Sequence, residues 1–282
     1  MTTSIDTHRI DAHQHFWRVD RGDYGWLTPD LGPLYRDYTP DDLEPLLAEC
    51  GTARTVLVQA APTTDETRFM LDLAADCSFI AGVVGWVDMD DFASAETALA
   101  EFAGHPKFVG VRPMIQDIAD PAWIIRPELR PLVEHLVATG LRFDALVKPV
   151  HLPYLLEFLE RYPDLRCVID HGAKPNIASN SWSPWAEDIL AIARHTDTCC
   201  KLSGLLTEAA PGQFLKDIAP YVDHLLDAFG SRRLIWGSDW PVLNLAGSYR
   251  RWRADSESLL SGLSADEQAL IFGGNAIDFY GL

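Results

Sequence analysis

Eight short apolar runs rich in β-branched residues alternate with amphipathic segments along this chain, and that alternation constrains the fold more than any other feature. The strand-like runs are Arg9–His15, Thr55–Gln59, Ile80–Val87, Phe108–Arg112, Leu141–Val147, Arg166–His171, Cys199–Ser203 and Leu234–Ser238. Helical patterns follow them at Pro40–Glu49, Glu66–Ala75, Ala95–Phe102, Pro127–Ala138, Pro153–Arg161, Pro184–His195, Gln213–Phe229 and Ala265–Tyr280. Eight strand–helix units favour a closed barrel over an open doubly wound sheet, and 282 residues suit one (β/α)8 barrel, for which about 250 is typical. No Pro/Gly/Ser-rich linker, internal repeat or low-complexity stretch interrupts the pattern. An α/β TIM-type barrel forming a single domain over residues 1–282 is therefore expected.

Several helix starts are written locally. Thr39-Pro40-Asp41-Asp42 offers a capping hydroxyl, proline at the first helical position and acids in the first turn. Ser183-Pro184 is expected to open its helix in the same way, and Ser264-Ala265-Asp266-Glu267 reads as a capping box. Two strand-to-helix connections are long: one carries Phe16, Trp17, Tyr24, Trp26, Tyr35 and Tyr38, the other Trp123. Such loops are uncommon unless functional or disordered, and this aromatic density argues against disorder. In a barrel they would cover the C-terminal ends of the strands, where active sites lie. Their rings would suit the C–H faces of a sugar-like ring, although half or more are expected only to pack the loop onto the barrel rim.

The first strand ends in His13-Gln14-His15. Residues two apart share a face of a strand, so the two imidazoles would project together, either as metal ligands or as groups that polarise a carbonyl. In the barrel, His171 after strand six and Asp239 after strand eight would converge with them. Arg112, at the end of strand four, offers a guanidinium fork for substrate oxygens. Lys148 and Lys174 are further candidates for that work, and Gln59, Trp26, Trp86 and Trp123 are candidate substrate contacts.

A formal charge of −18 argues against a nucleic-acid partner and favours a neutral or weakly charged small molecule over a dianion. The five cysteines show no Cys-x-x-Cys spacing, which fits a reduced, cytoplasmic setting. Met1 to Arg9 shows no export signal, and no window approaches the length of a membrane span. Homo-oligomerisation is left open.

Ile10-Asp11-Ala12-His13-Gln14-His15-Phe16-Trp17, Val56-Leu57-Val58-Gln59-Ala60, Gly110-Val111-Arg112, Ile169-Asp170-His171-Gly172-Ala173-Lys174-Pro175, Lys201-Leu202-Ser203-Gly204 and Gly237-Ser238-Asp239-Trp240-Pro241 together resemble the amidohydrolase superfamily. The likeness is greatest to its sugar-lactonase branch, whose members open L-fucono-, L-rhamnono- and 2-pyrone-4,6-dicarboxylate lactones. The resemblance implies a distorted barrel and hydrolysis of a cyclic ester, with Asp239 activating water. His13, His15 and His171 would orient that water and polarise the carbonyl, His171 being best placed to pair with Asp239.

Metal-dependent relatives usually add a histidine from strand five and often a carboxylated lysine from strand four. Here strand four ends in Arg112 and strand five leads to Lys148, with His151 reaching the site only if it folds back. A lactone is already reactive, so metal-independent hydrolysis of a neutral sugar lactone is expected. One zinc on His13, His15, His171 and Asp239 is the alternative. A zinc-dependent decarboxylase of the same superfamily, or a sugar-acid binding protein that has lost catalysis, are the competing functions.

Overall fold

The parallel strands pair in the order in which they occur. In the computed structural model, which describes residues 6–282, they are β1 (Asp6–Gln14), β2 (Thr52–Val58), β3 (Ile80–Gly85), β4 (Phe108–Val111), β5 (Arg142–Ala145), β6 (Cys167–Ile169), β7 (Cys199–Leu202) and β8 (Leu234–Trp236). Met1–Ile5, part of the stretch read as carrying no export signal, lies outside the described residues. β3, β4, β6 and β8 are continuously apolar because helices cover the outside of a parallel barrel while side chains fill the inside, whereas β1, β5 and β7 carry polar side chains toward the site. The seam closes between the first and last strands. There the Asp239 N–H donates to the His13 carbonyl at 2.8 Å and the His15 N–H to the Trp240 carbonyl at 2.7 Å.

Each strand is followed by a helix: α1 (Pro40–Cys50), α2 (Thr64–Asp76), α3 (Phe92–Phe102), α4 (Arg130–Thr139), α5 (Leu152–Arg161), α6 (Trp185–His195), α7 (Leu215–Phe229) and α8 (Tyr249–Leu259). The last was not expected from the sequence, because Tyr249-Arg250-Arg251-Trp252-Arg253-Ala254-Asp255-Ser256 is too polar to show an apolar stripe. Tyr249 and Trp252 nevertheless bury there. The segment read as one helix from Ala265 to Tyr280 is instead α9 (Ala265–Ala269), a π-turn (Leu270–Gly274) and α10 (Asn275–Tyr280). The bend brings Gly273 so close to β1 that a Cβ would overlap the His8 carbonyl oxygen.

Two of the three helix starts behave as read. The Thr39 N–H donates to Asp42 Oδ2 at 2.9 Å, and the Ser264 N–H to Glu267 Oε2 at 2.9 Å. Ser183 does not cap its helix. Its hydroxyl donates to Glu187 Oε1 at 2.6 Å and the helix begins one residue after Pro184.

The main core lies between strands and helices. A smaller cluster joins Ile10, Ala12, Val56, Val58, Val84, Val168 and Ile235 to Ala276, Phe279 and Tyr280 of α10. That helix covers the N-terminal ends of the strands: Asn275 Nδ2 donates to the Leu234 carbonyl at 2.6 Å and Arg142 Nε to the Phe279 carbonyl at 2.5 Å. No helix among the described residues is long and apolar enough to cross a membrane.

Candidate active site

At the opposite, C-terminal end of the barrel, β1, β6 and β8 deliver four buried polar side chains to one point. Asp239 Oδ1 lies 3.3 Å from His15 Nε2, 3.7 Å from His13 Nε2 and 3.8 Å from His171 Nε2. The two β1 imidazoles face each other through Nε2 at 3.2 Å. His15, rather than the expected His171, is thus the nearest partner of Asp239, because closing the seam sets β1 beside β8.

The backbone is contorted to aim these groups. His171 and Asp239 both sit in the left-handed region, at φ 55° and 58°, a conformation that costs a non-glycine residue about 1–3 kcal/mol and persists only where its surroundings enforce it. Room for the rings comes from two glycines. A Cβ on Gly204 would fall 2.5 Å from His171 Nδ1, and one on Gly237 would fall 2.7 Å from His13 Cβ.

Tautomers follow from the partners. His15 Nδ1 sits 2.7 Å from the Val58 carbonyl, which can only accept, so the Nδ1 proton stays there and the Nε2 lone pair faces the site. His171 Nδ1 meets the Ser203 hydroxyl at 2.8 Å. Burial lowers all three imidazoles, His13 furthest because the Lys201 ammonium adds to it, and His171 to about 4. Burial alone would raise Asp239, but His171, His15 and His13 together outweigh it and hold the carboxyl well below its usual range. At neutral pH the site therefore presents three neutral imidazoles around one carboxylate.

A charged layer lies directly beneath. Lys201 of β7, fully buried, places Nζ 2.5 Å from Asp144 Oδ2 on β5, 3.0 Å from Asp170 Oδ1 and 3.1 Å from His13 Nδ1. The Tyr280 hydroxyl donates to the same Asp144 oxygen at 2.8 Å. Arg112 reaches over this layer, with Nη1 3.2 Å from Asp170 Oδ2 and Nη2 donating to Gln59 Oε1 at 2.8 Å and to the Gln59 carbonyl. A buried lysine needs such pairing, because removing one member leaves an uncompensated charge.

Above His15, His171 and Asp239 opens a cavity of about 260 Å³, also lined by Arg112, Lys174, Trp26, Met114 and Leu146, while His13 is buried outside the lining. That is slightly below the ~300–1,000 Å³ of drug-sized pockets and suits one small ring. Trp26 is held over it by its indole N–H, which donates to the Ala60 carbonyl at 2.7 Å. The fully buried Glu66 anchors that loop, accepting from the N–H groups of Ala60 (2.9 Å) and Ala61 (2.6 Å), and burial pushes its carboxyl up to about 8. A larger cavity of about 620 Å³ opens at the other end of the barrel, around Arg166, Arg194 and His195, away from these groups.

The remaining sequence candidates divide. Lys174 lines the cavity, 3.7 Å from Glu208. Gln59 is buried behind Arg112 and positions it rather than facing the cavity. Lys148 points away, its ammonium on the Gln116 carbonyl at 3.0 Å. Trp86 and Trp123 line a neighbouring cavity that shares Met114 and Asp117 with the first. His151 does not fold back, since its Nδ1 stays 3.0 Å from the Lys148 backbone nitrogen. Of the long-loop aromatics, Phe16, Trp17, Tyr24 and Tyr38 are buried in packing, as expected for half or more. Lys201, Asp144, Asp170 and Ser203 were not read as site residues. The usable signal was a lysine inside the apolar run Cys199-Cys200-Lys201-Leu202, which must find buried carboxylates.

The donor set suits a metal in number and kind, since three imidazole nitrogens and a carboxylate are ligands zinc takes in four-coordinate sites. The ligand atoms of His13, His15 and Asp239 lie within 4.8 Å of one another. His15, His171 and Asp239 are free to offer lone pairs. His13 is contested, because its Nδ1 lies between the Lys201 ammonium and Asp170 Oδ1, the latter at 3.4 Å.

An L-fucono-1,5-lactonase of Burkholderia ambifaria is 51% identical over 278 residues, covering 97% of this chain and 96% of its own length. One of Burkholderia multivorans is 38% identical over 292 residues, with 97% and 96% covered. A crystal structure of an amidohydrolase from Burkholderia multivorans with bound zinc superposes with a TM-score of 0.91 at 38% identity, covering 97% of this chain and 99% of that one. The sequence model of the amidohydrolase family matches residues 10–282, and with the barrel and the strand-end constellation in place the chain belongs to that family.

Proposed function

We propose that this protein hydrolyses a sugar lactone of the L-fucono-1,5-lactone type to the open hydroxy acid. The observation that carries the reading is the convergence of Asp239, His15 and His171 on the floor of a cavity sized for a single ring, with His13 buried against them. The two lactonase relatives support the substrate class, and they give no support to a decarboxylase.

Asp239 accepts a proton from water as the water oxygen bonds to the lactone carbonyl carbon. The bond from that carbon to the ring oxygen then breaks, and the proton held by Asp239 passes to the departing ring oxygen. A positioned base contributes about 10²–10⁴ to the rate and a fixed oxyanion donor about 10²–10³, which is sufficient for an activated ester. The histidines hold the water and face the carbonyl oxygen, while Arg112 and Lys174 bind the new carboxylate. Trp26 lies against the ring, and Met114 and Leu146 supply an apolar wall. Arg126 does not reach this cavity as a clamp for a dicarboxylated pyrone, being paired with Asp90 at 3.1 Å on the surface.

His13, His15, His171 and Asp239 would hold a zinc ion, which when bound supplies Lewis acidity. The proposed chemistry does not require it, and activity is expected to survive dialysis against a chelator. No nucleic-acid or membrane partner is proposed. The test is acid release, followed with a pH indicator, from a panel of γ- and δ-aldonolactones, corrected for spontaneous hydrolysis. Asp239→Asn is expected to lower kcat by about 10²–10⁴ while leaving product binding intact. A chain that opens no lactone faster than buffer, or an Asp239→Asn variant of unchanged kcat, refutes the proposal.

A further inference from the structure

The two β1 histidines are equivalent in the motif but not in their surroundings. His15 has a carbonyl behind it, whereas His13 has an ammonium. Lys201 donates to Asp144 Oδ2 at 2.5 Å, contacts His13 Nδ1 at 3.1 Å and is ion-paired with Asp170 Oδ1 at 3.0 Å. An ammonium carries no lone pair, so its contact with Nδ1 is a hydrogen bond only when that nitrogen is unprotonated.

On the far side of the ring, His13 Nε2 faces His15 Nε2 at 3.2 Å, and the Val58 carbonyl has already fixed that atom as a lone pair. Two lone pairs would repel there, whereas a proton on His13 Nε2 makes a hydrogen bond. Three contacts oppose this arrangement: the first is Asp239 Oδ1, 3.3 Å from the His15 Nε2 lone pair, although the same oxygen lies 3.7 Å from the His13 Nε2 proton and is attracted to it. Asp170 Oδ1 lies 3.4 Å from His13 Nδ1, but it is ion-paired with the Lys201 ammonium at 3.0 Å. Arg112 Nη1, which carries two N–H bonds, lies 3.3 Å from His13 Nε2 as well as 3.2 Å from Asp170 Oδ2, but the Lys201 ammonium at 3.1 Å from Nδ1 is the nearer of the two cations to the ring.

We infer that Lys201 is a positioning residue that locks His13 in the Nε2–H tautomer, so that His13 enters the site as a hydrogen-bond donor while His15 enters as an acceptor. The pair is therefore polarised, with His13 donating to His15 across their facing Nε2 atoms. The same lock works against metal binding, because His13 can ligate through Nε2 only after its proton has moved to Nδ1, against the ammonium. Lys201 thus selects hydrolysis by hydrogen bonding over zinc occupancy in a set of side chains otherwise suited to the ion. The inference deepens the proposed lactonase site but is read without substrate, so its failure and the failure of the lactonase reading are separable.

The test has two arms. In the metal-free protein labelled with ¹⁵N-histidine, His13 signals assigned by their loss in His13→Asn are expected to show a protonated Nε2 and an unprotonated Nδ1. The opposite pattern overturns the inference. Zinc affinity is then measured by competition with a chromogenic chelator. Lys201→Met alone strands two carboxylates, so Lys201→Met/Asp144→Asn, which removes one charge of each sign, is compared with it after circular dichroism shows a folded barrel. The double variant is expected to bind zinc about 10–100-fold more tightly than the wild type, the range usual for groups that orient a ligand. Unchanged or weaker binding overturns the inference.

Discussion

Replacing Gly204 by alanine should uncouple His171 from the site without touching any polar group. Gly204 has φ +65°, and its added Cβ would meet His171 Nδ1 at 2.5 Å, where ordinary contact begins at 3.4 Å, so the ring must retreat by about 0.9 Å. That movement stretches the 2.8 Å bond to Ser203 beyond hydrogen-bonding reach and carries Nε2 off its approach to Asp239. Forcing alanine into the left-handed region costs roughly 1–2 kcal/mol, and the lost hydrogen bond adds about 1 kcal/mol. For a domain of this size those losses lower Tm by roughly 4–12 °C. A displacement near 1 Å in a catalytic group lowers kcat by about 10²-fold. Calorimetry and the indicator assay at saturating lactone measure the two effects. Gly22→Ala serves as the control, since Gly22 is left-handed at φ +71° but a Cβ there meets nothing within 4 Å. It should lose stability by the backbone cost alone and keep its kcat. A Gly204→Ala enzyme with kcat within about threefold of wild type would refute the claim that the close fit around His171 sets its catalytic position.

Trp26→Ala removes the indole over the cavity and should raise KM roughly tenfold, ~1.4 kcal/mol of lost contact, with a smaller change in kcat. Initial-rate kinetics on the preferred lactone check this split. Lys201→Met leaves Asp144 and Asp170 without their shared cation and should destabilise the fold by about 3–5 kcal/mol in urea titration. Burial raises Glu66 from 4.5 to about 8 in the folded state, so the folded protein holds a proton that the unfolded chain releases above its own lower pKa. Wild-type stability relative to Glu66→Gln is therefore greatest below about pH 4.5 and falls as pH rises through 8, by roughly 3–5 kcal/mol in total. Chemical denaturation of both proteins between pH 5 and 9 follows it, and parallel curves would contradict that assignment.

The barrel was legible because its signal repeats: each strand is a short apolar run and most helices carry a stripe or a cap. Residue-level errors arose where local pattern and tertiary demand diverge. Strand ends were read one or two residues too long because Gln59, Arg112 and His171 continue the strands' sequence pattern past the last strand residues Val58, Val111 and Ile169. The helix at Tyr249–Leu259 was missed because two aromatic anchors suffice to dock it. His13, His15, His171 and Asp239 were legible as chemistry-bearing residues at strand ends. Their order around Asp239 was not, since it depends on which strands meet at the seam. Lys201, Asp144 and Asp170 come from three separate segments, and only the closed barrel gives their charges a common purpose.

The seam between β1 and β8 determines which parts of this protein are free to vary. The spacing between Asp239 and the β1 histidines is set by main-chain hydrogen bonds, His13 O to Asp239 N and Trp240 O to His15 N, and no loop intervenes. The walls of the cavity come instead from connections such as those carrying Trp26 and Met114. Redesigning those connections should exchange one ring for another while the bond-breaking geometry stays in place. Cutting and rejoining the chain elsewhere should likewise be tolerated, provided the first and last strands still zip together.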